Sequence, residues 1–399
     1  MCAVPGLRAW AMLAYAIAFI PATAFTLAAW NRDDRFTRMA IVIFALAVRV
    51  PLAVSQPLWS NDAYRYVWDG RLAERGIDPR AVAPIDPALK AEQSSPLWAH
   101  IDWRSIPTVY PPLAIALFEA TARVDPNGVS GAKILSLAGD LGTVFVLFAG
   151  LGRLRLPRGR AALYALHPLV LVSFAQDAHV ESIAIAGSCL AIAGHRLTRA
   201  PAFAVAVLTK LYPLIFAPLV FADDLLSAGA AFAIVLVAYV PALVRGHPFG
   251  SLGNFLGSQQ FNDTFFVALG ATGSAIVLFG VVAGATFAVQ RGAELAVCAL
   301  VVTVAYLLTT PNALPWYVAI VPPLIVFVRE PFARPQRAFT AALLWWSATA
   351  ALSFGAPWWF PGGSVSDIGV RVVEYGPLLA VGLAFIRPQL RTLGVGLTR

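Results

Sequence analysis

The stretch that decides the fold is "IVIFALAVRVPLAVSQPLWSNDAYRYVWDG", residues 41–70. Its first half belongs to an apolar window at residues 39–57, about the length that a helix needs to cross the hydrocarbon core of a membrane. Its second half brings acids, arginine and aromatic residues into close succession. The pattern predicts a membrane-spanning helix that runs directly into a polar segment at the membrane surface.

The rest of the chain resembles the apolar half of that stretch. Of its 399 residues 59% are hydrophobic and 13% are charged, whereas soluble domains carry about 25% charged residues. We therefore predict an all-α polytopic membrane protein that forms a single domain over residues 1–399. About eleven apolar windows are candidate spans, and they lie near residues 9–29, 39–57, 131–151, 161–175, 180–195, 225–243, 265–289, 294–310, 317–328, 338–354 and 372–387.

Charge and cysteine content exclude several other classes of protein. The net charge of +8 comes from arginines in short clusters between apolar windows, which does not form the single basic face of a nucleic-acid-binding protein. Cys2, Cys189 and Cys298 are too far apart to suggest a disulfide framework or a thiolate metal site. The window near the N-terminus is longer than the core of a secretory signal, so we expect a retained helix.

Arginine in the short loops predicts which loops face the cytoplasm. Successive loops alternate between the two sides of the membrane only if residues 201–221 return to the side on which they began. They would do so as two half-helices broken around Lys210 and Pro213. With that topology the long segment 58–130 faces outward. We find no repeat of fixed period.

The polar segment at residues 60–79 has the end signals of a short helix. Ser60 or Asn61 can cap its start, and Gly76 followed by Pro79 can stop it. Such a helix would place two carboxylates on the same face as an arginine.

The residues on that face are candidates for chemistry or for simple ion pairing. Asp62, Arg65, Tyr66 and Asp69 fall at spacings that share one helix face, and Arg71 falls on a neighbouring face. A surface ion pair among them would contribute less than about 1 kcal/mol and would need no function. The density of charge in a chain so poor in charge favours a functional role.

Ionisable residues inside apolar windows are further candidates. Arg49 lies at membrane depth and is by default a functional candidate. Lys133 and Asp140 lie seven residues apart on one face of the next span, where we expect a structural ion pair. In "TVYPPLAIALFEATARV", residues 108–124, about a dozen residues follow two prolines; they are too few to span and predict an amphipathic helix in the outer interface.

A second polar group follows in "SFAQDAHVESIAIAG", residues 173–187. It places His179 with Glu181 and Asp177 at an outward helix junction, where the histidine is either satisfied by backbone or in contact with a substrate. Lys210 is one of three lysines and lies at membrane depth beside Tyr212. A lysine there needs an anion, and a phosphate would serve.

The last polar group lies at two outward helix ends. Asn262 and Asp263 occupy one of them, and Trp316 and Tyr317 occupy the other. Aromatic residues at such positions are most often anchors in the membrane interface, and they can also stack on a sugar or line a lipid groove.

Read in order, the motifs "SNDAYRYVWDGRLAERGIDP", "VYPPLA", "AHVESIAIAG", "LTKLYPLIFAPL", "FNDTFF" and "PNALPWYVAIVPPL" resemble one known family. The chain is similar, over roughly residues 39–330, to the multi-spanning mannosyltransferases of the GT-C superfamily that use polyprenyl-phosphate sugars. The nearest likeness is to bacterial alpha-mannosyltransferases of the glycosyltransferase family 87 kind.

That resemblance implies a GT-C-like bundle of about 11 to 13 transmembrane helices with an outward catalytic loop at residues 58–130. It implies a cell-membrane enzyme with an outward-facing site, a lipid-linked sugar phosphate as donor, a lipid or glycan acceptor, membrane lipids as partners and no nucleic acid. Asp62 matches the general base of the family, but Asn61 replaces the second acid of its usual acid pair.

The other site residues are expected to contact the donor phosphate or the sugars. For the phosphate they are Arg65, Arg71 and Lys210, and for substrate contacts they are Tyr66, Asp69, Tyr110, His179, Glu181, Tyr212, Asn262 and Trp316. No cofactor and no metal site are predicted, although one divalent ion shared by Asp62 and a distant acid such as Glu181 stays open as an alternative.

One base without a second carboxylate as nucleophile predicts inversion at the sugar carbon. The main alternative is a transporter or flippase of lipid-linked sugars, which would commonly show broken helices in both halves of the chain. A structural membrane partner without activity would leave the charge of the polar segment unexplained.

Overall fold

Helices and short helical turns make up the regular structure of the protein. The structure, a computed structural model, describes residues 5–258, 261–334, 336–353 and 364–392. Within those ranges the one β-type contact is an isolated bridge between Phe261 and Asn312. The predicted all-α class is confirmed.

The helices are numbered here in chain order. The first nine are α1 (Pro5–Ala29), α2 (Arg35–Val54), α3 (Asp62–Glu74), α4 (Pro112–Val124), α5 (Ser130–Arg153), α6 (Ala162–Ala165), α7 (Pro168–Val170), α8 (Glu181–Ala193) and α9 (Arg196–Thr209). The others among the described residues are α10 (Ala217–Val220), α11 (Leu225–Val244), α12 (Leu252–Ser258), α13 (Thr264–Gln290), α14 (Leu295–Thr309), α15 (Pro315–Val318), α16 (Val321–Phe327), α17 (Gln336–Thr349) and α18 (Ser364–Thr392).

Five helices of the described residues are long and apolar enough to cross a membrane. They contain the segments Trp10–Ala29, Arg35–Val54, Ser130–Arg153, Leu225–Val244 and Phe265–Gln290. Large apolar side chains such as Ile20, Phe232 and Phe279 are more than two-thirds exposed on them, as expected for surfaces that face lipid.

Five of the other predicted spans differ from the prediction of single long helices. The windows 161–175 and 317–328 are broken into short pieces, and α8, α14 and α17 contain 13, 15 and 14 residues. Buried residues fill α8, α15 and α16. Their apolar character therefore reflects a protein core, which hydropathy cannot distinguish from a span.

The loops predicted to be cytoplasmic gather at one end of the molecule. Arg158 forms an ion pair of 3.0 Å with Asp33, and Arg160 donates a hydrogen bond to the carbonyl of Val328. These contacts join the loops before α2, α6 and α17. The three loops therefore lie together, while the alternation of loops and the side on which they lie stay predictions.

The predicted break at Lys210 is present. Helix α9 ends at Thr209, Lys210 is extended, and a 3-10 turn begins at Tyr212. The two ends of this hairpin meet, because Arg196 pairs with Asp224 at 2.8 Å. The segment thus returns toward the end where it began and leaves Lys210 at its tip.

The ends of α3 follow the sequence signals. The Ser60 hydroxyl accepts a hydrogen bond from the backbone N–H of Asp62, the first residue of the helix. At the other end Gly76 adopts φ 75°, and the N–H of Ile77 reaches back to the carbonyl of Leu72. This is a Schellman ending, which favours glycine because of its left-handed backbone.

Helix α3 packs tightly on α4. A Cβ atom on Gly70 would lie 2.0 Å from the carbonyl oxygen of Phe118, so only glycine allows this close approach. The rings of Tyr66 and Phe118 stack with centroids 4.5 Å apart. This contact fixes how α3 lies and therefore where its first residue points.

The predicted pair of Lys133 with Asp140 is wrong. Asp140 instead binds Arg49 through two hydrogen bonds, of 2.6 and 3.0 Å. Lys133 donates to the backbone carbonyls of Leu52 and Ala175. Arg49, expected to be functional, is a buried structural residue whose charge Asp140 neutralises.

Candidate active site

Asp62 occupies the first position of α3 and faces a histidine. Its Oδ2 atom lies 3.4 Å from Nδ1 of His179, and 28% of its side chain is exposed. The His179 ring is fully buried and stacks on Trp316 with ring centroids 3.8 Å apart. A carboxylate held from behind by an imidazole is thus open to the cavity in front of it.

The junction before α8 holds the approach to α3. Asp177 Oδ1 accepts hydrogen bonds from the backbone N–H groups of Leu58 and Trp59, at 2.8 and 3.2 Å. Ala178 adopts φ 60°, which turns the chain so that Asp177 and His179 both reach the segment before α3. The polar segment before α8 and the polar segment that begins α3 therefore meet at Asp62, although they lie far apart in sequence.

Lys210 lies in a box of aromatic rings with one carboxylate. Its Nζ atom is 2.7 Å from Oε1 of the fully buried Glu181. The same atom lies 4.5 Å from the centroid of the Tyr110 ring and 5.3 Å from that of Tyr317. Cation–π contacts and the ion pair together keep a charged lysine stable at this depth.

A cavity of about 360 Å³ connects these groups. Asp62 and Lys210 both line it, together with the aromatic side chains of Tyr66, Tyr110 and Trp316. Its other lining residues are Trp59, Ser60, Asn61, Arg65, Asp102, Trp103, Ile106, Pro107, Thr108, Val109, Phe255, Phe261, Asn312, Leu314, Tyr317 and Ser353. The cavity can bring a carboxylate, a cation and sugar-stacking surfaces to one bound molecule.

The surroundings of Asp62 keep it ionised. Burial acts to raise the pKa of this carboxyl group, but the contact with His179 and the charges of Lys210 and Arg65 outweigh it. The pKa therefore lies below its ordinary value. A carboxylate that is charged at neutral pH can accept a proton.

Two arginines expected to hold phosphate have other partners. Arg65 lines the cavity, but its three guanidinium nitrogens donate to Asp69 Oδ1 and to the carbonyls of Trp103 and Ile106. Arg71 pairs with Glu92 at 3.0 Å on the far side of α3. Arg65 can act on the cavity through its charge, and Arg71 is not among its lining residues.

Three other predicted contact residues lie behind the cavity wall. Asp69 is fully buried beside Arg65. Tyr212 packs on the rings of Tyr306 and Tyr317. Asn262 donates to Ser353 Oγ and Glu374 Oε2, at 3.0 and 2.8 Å. In this structure these side chains support the wall and do not line the cavity.

His179 and Glu181 likewise stand behind the lining residues, in contact with Asp62 and Lys210 respectively. Neither side chain is among the lining residues of the cavity, and their role in substrate binding stays a prediction. Among the described residues no group of three or more His, Cys, Asp or Glu side chains is placed to hold a metal ion.

Sequence reasoning missed Asp102 and Trp103, which also line the cavity. Burial raises the pKa of Asp102, the hydrogen bond from Asn61 opposes that effect, and the negative charge of Asp62 adds to it. Both residues belong to an irregular loop between α3 and α4, where no periodic pattern marks them. Only their position in the folded loop identifies them.

Comparison with known proteins places this architecture in context. The family described as alpha-(1->6)-mannopyranosyltransferase, N-terminal domain, matches residues 3–223. That match covers more than half of the chain and contains Asp62, His179, Glu181 and Lys210. The resemblance to alpha-mannosyltransferases is confirmed by it.

A curated relative points the same way. The chain is 27% identical over 256 residues to alpha-(1->6)-mannopyranosyltransferase A of Mycobacterium tuberculosis (strain ATCC 25618 / H37Rv). The aligned region covers 61% of this chain and 45% of that relative, so the chain matches about half of the relative's length. No solved structure matches the chain.

Proposed function

Because the chain belongs to the alpha-(1->6)-mannopyranosyltransferase family, we propose that it moves mannose from a polyprenyl-phosphate donor to a lipid or glycan acceptor at the outer face of the cell membrane. The observation that carries the proposal is that an ionised carboxylate, Asp62, and a partly buried cation, Lys210, line the same cavity. Transfer from a donor with a phosphate leaving group chiefly needs a base for the acceptor hydroxyl and a cation for the departing phosphate.

Asp62 is proposed as the general base. Its carboxylate takes the proton of the acceptor hydroxyl while that oxygen attacks the anomeric carbon of the donor sugar. The His179 contact holds the carboxylate in position and lowers its pKa, so the group is ready to accept a proton at neutral pH. His179 is a positioning residue in this scheme.

Lys210 is proposed to hold the phosphate that leaves with the polyprenyl chain. As the bond from the anomeric carbon to the phosphate oxygen breaks, negative charge grows on that oxygen, and a fixed ammonium group stabilises it. Glu181 keeps the ammonium in place, with 2.7 Å between Nζ and Oε1, when no phosphate is bound. The hydroxyl of Tyr317, 3.5 Å from Nζ, is a second donor close by.

With Asp62 as the base and the acceptor oxygen as the nucleophile, direct displacement inverts the anomeric carbon, so a beta-linked donor would give an alpha-linked product. The donor tail would approach through the apolar part of the wall, formed by Phe255, Phe261 and Leu314. A sugar on a long isoprenoid chain would reach the cavity from the bilayer.

The test is sugar transfer by the purified protein in nanodiscs. A panel of polyprenyl-phosphate sugars is offered with membrane-lipid extract as acceptor, and labelled product and free polyprenyl phosphate are measured. Transfer from one donor with release of polyprenyl phosphate supports the proposal. Binding of donors without release or labelling would favour the flippase alternative.

The pH dependence of the rate follows from the lowered pKa of Asp62. A base must be ionised, so activity is lost only as pH falls through its pKa. We expect kcat/KM for the donor to stay constant from pH 8 to about pH 5 and to decline below that. Initial rates across this range check it, and a decline centred between about pH 6 and 7 would point to a histidine instead.

Substitutions can separate the effect of Lys210 on catalysis from the effect of its ion pair with Glu181 on stability. Lys210→Met leaves the buried Glu181 without its cation and is expected to destabilise the protein by about 2 to 3 kcal/mol. The double variant Lys210→Met/Glu181→Gln should regain most of that stability and still transfer sugar about 10- to 100-fold more slowly. Thermal unfolding in detergent and donor kinetics measure the two effects. Normal turnover in the double variant would exclude Lys210 from phosphate binding.

A further inference from the structure

The mouth of the cavity carries an exposed tryptophan in an unusual backbone conformation. Trp103 has 58% of its surface exposed and adopts φ 55°. A bulky residue seldom occupies the left-handed region, and such strain persists only where the surroundings impose it. The indole ring is therefore exposed beside the cavity. Its position costs backbone strain that another residue at this position would avoid.

Arg65 binds the backbone of the loop that carries Trp103. Its Nη1 atom donates to the carbonyl of Trp103 at 3.2 Å, and its Nη2 atom donates to the carbonyl of Ile106 at 3.0 Å. Its Nε atom donates to the buried Asp69 at 2.8 Å, which holds the guanidinium against α3. The loop that presents Trp103 is therefore fixed to the same helix that carries the proposed base.

Asp102 lies next to this ring and also faces the cavity. Its Oδ2 atom accepts a hydrogen bond of 3.0 Å from Nδ2 of Asn61, the residue that precedes Asp62. A carboxylate can accept hydrogen bonds at about four lone-pair positions, so one such bond leaves capacity for a ligand's hydroxyl groups. The cavity therefore has a second carboxylate, and a hydrogen bond connects it to the residue before the proposed base.

We propose that Asp102 and Trp103 form an acceptor subsite that binds a sugar ring of a glycan or glycolipid, with the indole stacked on the ring and the carboxylate accepting its hydroxyl hydrogens. The proposal rests on the proposed transferase function and goes further, because it names a glycosylated acceptor and the residues that hold it.

The charge of Asp102 favours an acceptor sugar over the donor phosphate as its ligand. Asp102 would repel a phosphate, whereas neutral hydroxyl groups are good donors to a carboxylate. The phosphate would bind the cation Lys210, which also lines the cavity. The neighbours of Trp103 also oppose a role as a lipid anchor, because Asp102 precedes it and Arg104 follows it.

The strained backbone allows a variant that removes the ring without disturbing the fold. Trp103→Gly suits φ 55°, so its thermal unfolding temperature should not fall, and Trp103→Phe keeps an aromatic face. The matched control is Trp10→Ala, which removes a tryptophan that is 69% exposed on α1.

The experiment measures transfer from the preferred polyprenyl-phosphate sugar to a synthetic octyl alpha-mannoside at varied acceptor concentration. We expect Trp103→Gly to raise the KM for the acceptor about tenfold and Trp103→Phe by less than about threefold, with the KM for the donor unchanged. Asp102→Asn should raise the acceptor KM several-fold, and Trp10→Ala should change neither constant.

Unchanged acceptor KM in both Trp103→Gly and Asp102→Asn overturns the subsite while leaving the transferase proposal intact. A rise in the donor KM alone also overturns it. If the wild type transfers nothing, the proposed function fails, and saturation-transfer NMR with octyl alpha-mannoside then tests the subsite directly. Signal transfer that is lost in Trp103→Gly supports the subsite, and signal of equal size in both proteins refutes it.

Discussion

An Asp62→Asn protein is expected to lose about 10²- to 10⁴-fold of its sugar-transfer rate while remaining folded, because the amide cannot accept the proton of the acceptor hydroxyl. The substitution keeps the size of the side chain. It also keeps an oxygen that can face His179, which lies 3.4 Å from the native carboxylate. Initial rates at saturating donor and acceptor measure the loss, and thermal unfolding in detergent checks the fold.

The control is Asp223→Asn, the same chemical change at an exposed residue between α10 and α11. It should leave the rate unchanged. Equal rates for Asp62→Asn and the wild type would remove Asp62 from the base role. The search would then pass to Asp102, the other carboxylate that lines the cavity.

The sequence allowed prediction of features that depend on local chemistry. The limits of α3 follow from Ser60 and from the left-handed Gly76, both of which act on neighbouring backbone groups. The break at Lys210 follows from a proline and a charged residue in an apolar window. In each case the residues that decide the structure are close together in the chain, so their effect can be read directly.

Partner choice between helices could not be predicted. Lys133 and Asp140 lie on one helix at a spacing that allows contact, yet Asp140 pairs with Arg49, 91 positions away. Lys133 meets the carbonyl groups that the break before Asp177 leaves without helical partners. Both outcomes depend on how α2, α5 and the segment after α7 pack, and a single sequence does not specify this.

The candidate site also contains residues that the sequence could identify and residues that it could not. Asp62 was identifiable because it lies in a charged helix within a charge-poor chain. Asp102 and Trp103 lie in an irregular loop whose shape is set by hydrogen bonds from Arg65 and Asn61. Because those bonds connect positions about 40 residues apart, no local pattern marked the two residues as part of the cavity.

Breaking the ion pair between Arg49 and Asp140 should have the largest effect on stability. Both side chains are almost completely buried, at 2% and 0% exposure, and Arg49 also donates to the carbonyls of Ala45 and Ala165. Asp140→Leu leaves the guanidinium charge uncompensated in the core and should cost about 3 to 5 kcal/mol. Thermal unfolding in detergent measures it against the wild type.

The double variant Arg49→Met/Asp140→Leu distinguishes a pair that stabilises from a pair that is merely tolerated. Replacing both charges by apolar side chains removes the desolvation cost together with the attraction, so the double variant should recover most of the stability lost by Asp140→Leu. A double variant as unstable as the single one would mean that the carbonyls of Ala45 and Ala165 depend on the guanidinium for their hydrogen bonds. Arg49 would then stabilise the contact between α2 and α6 through those bonds, whatever the charge at position 140.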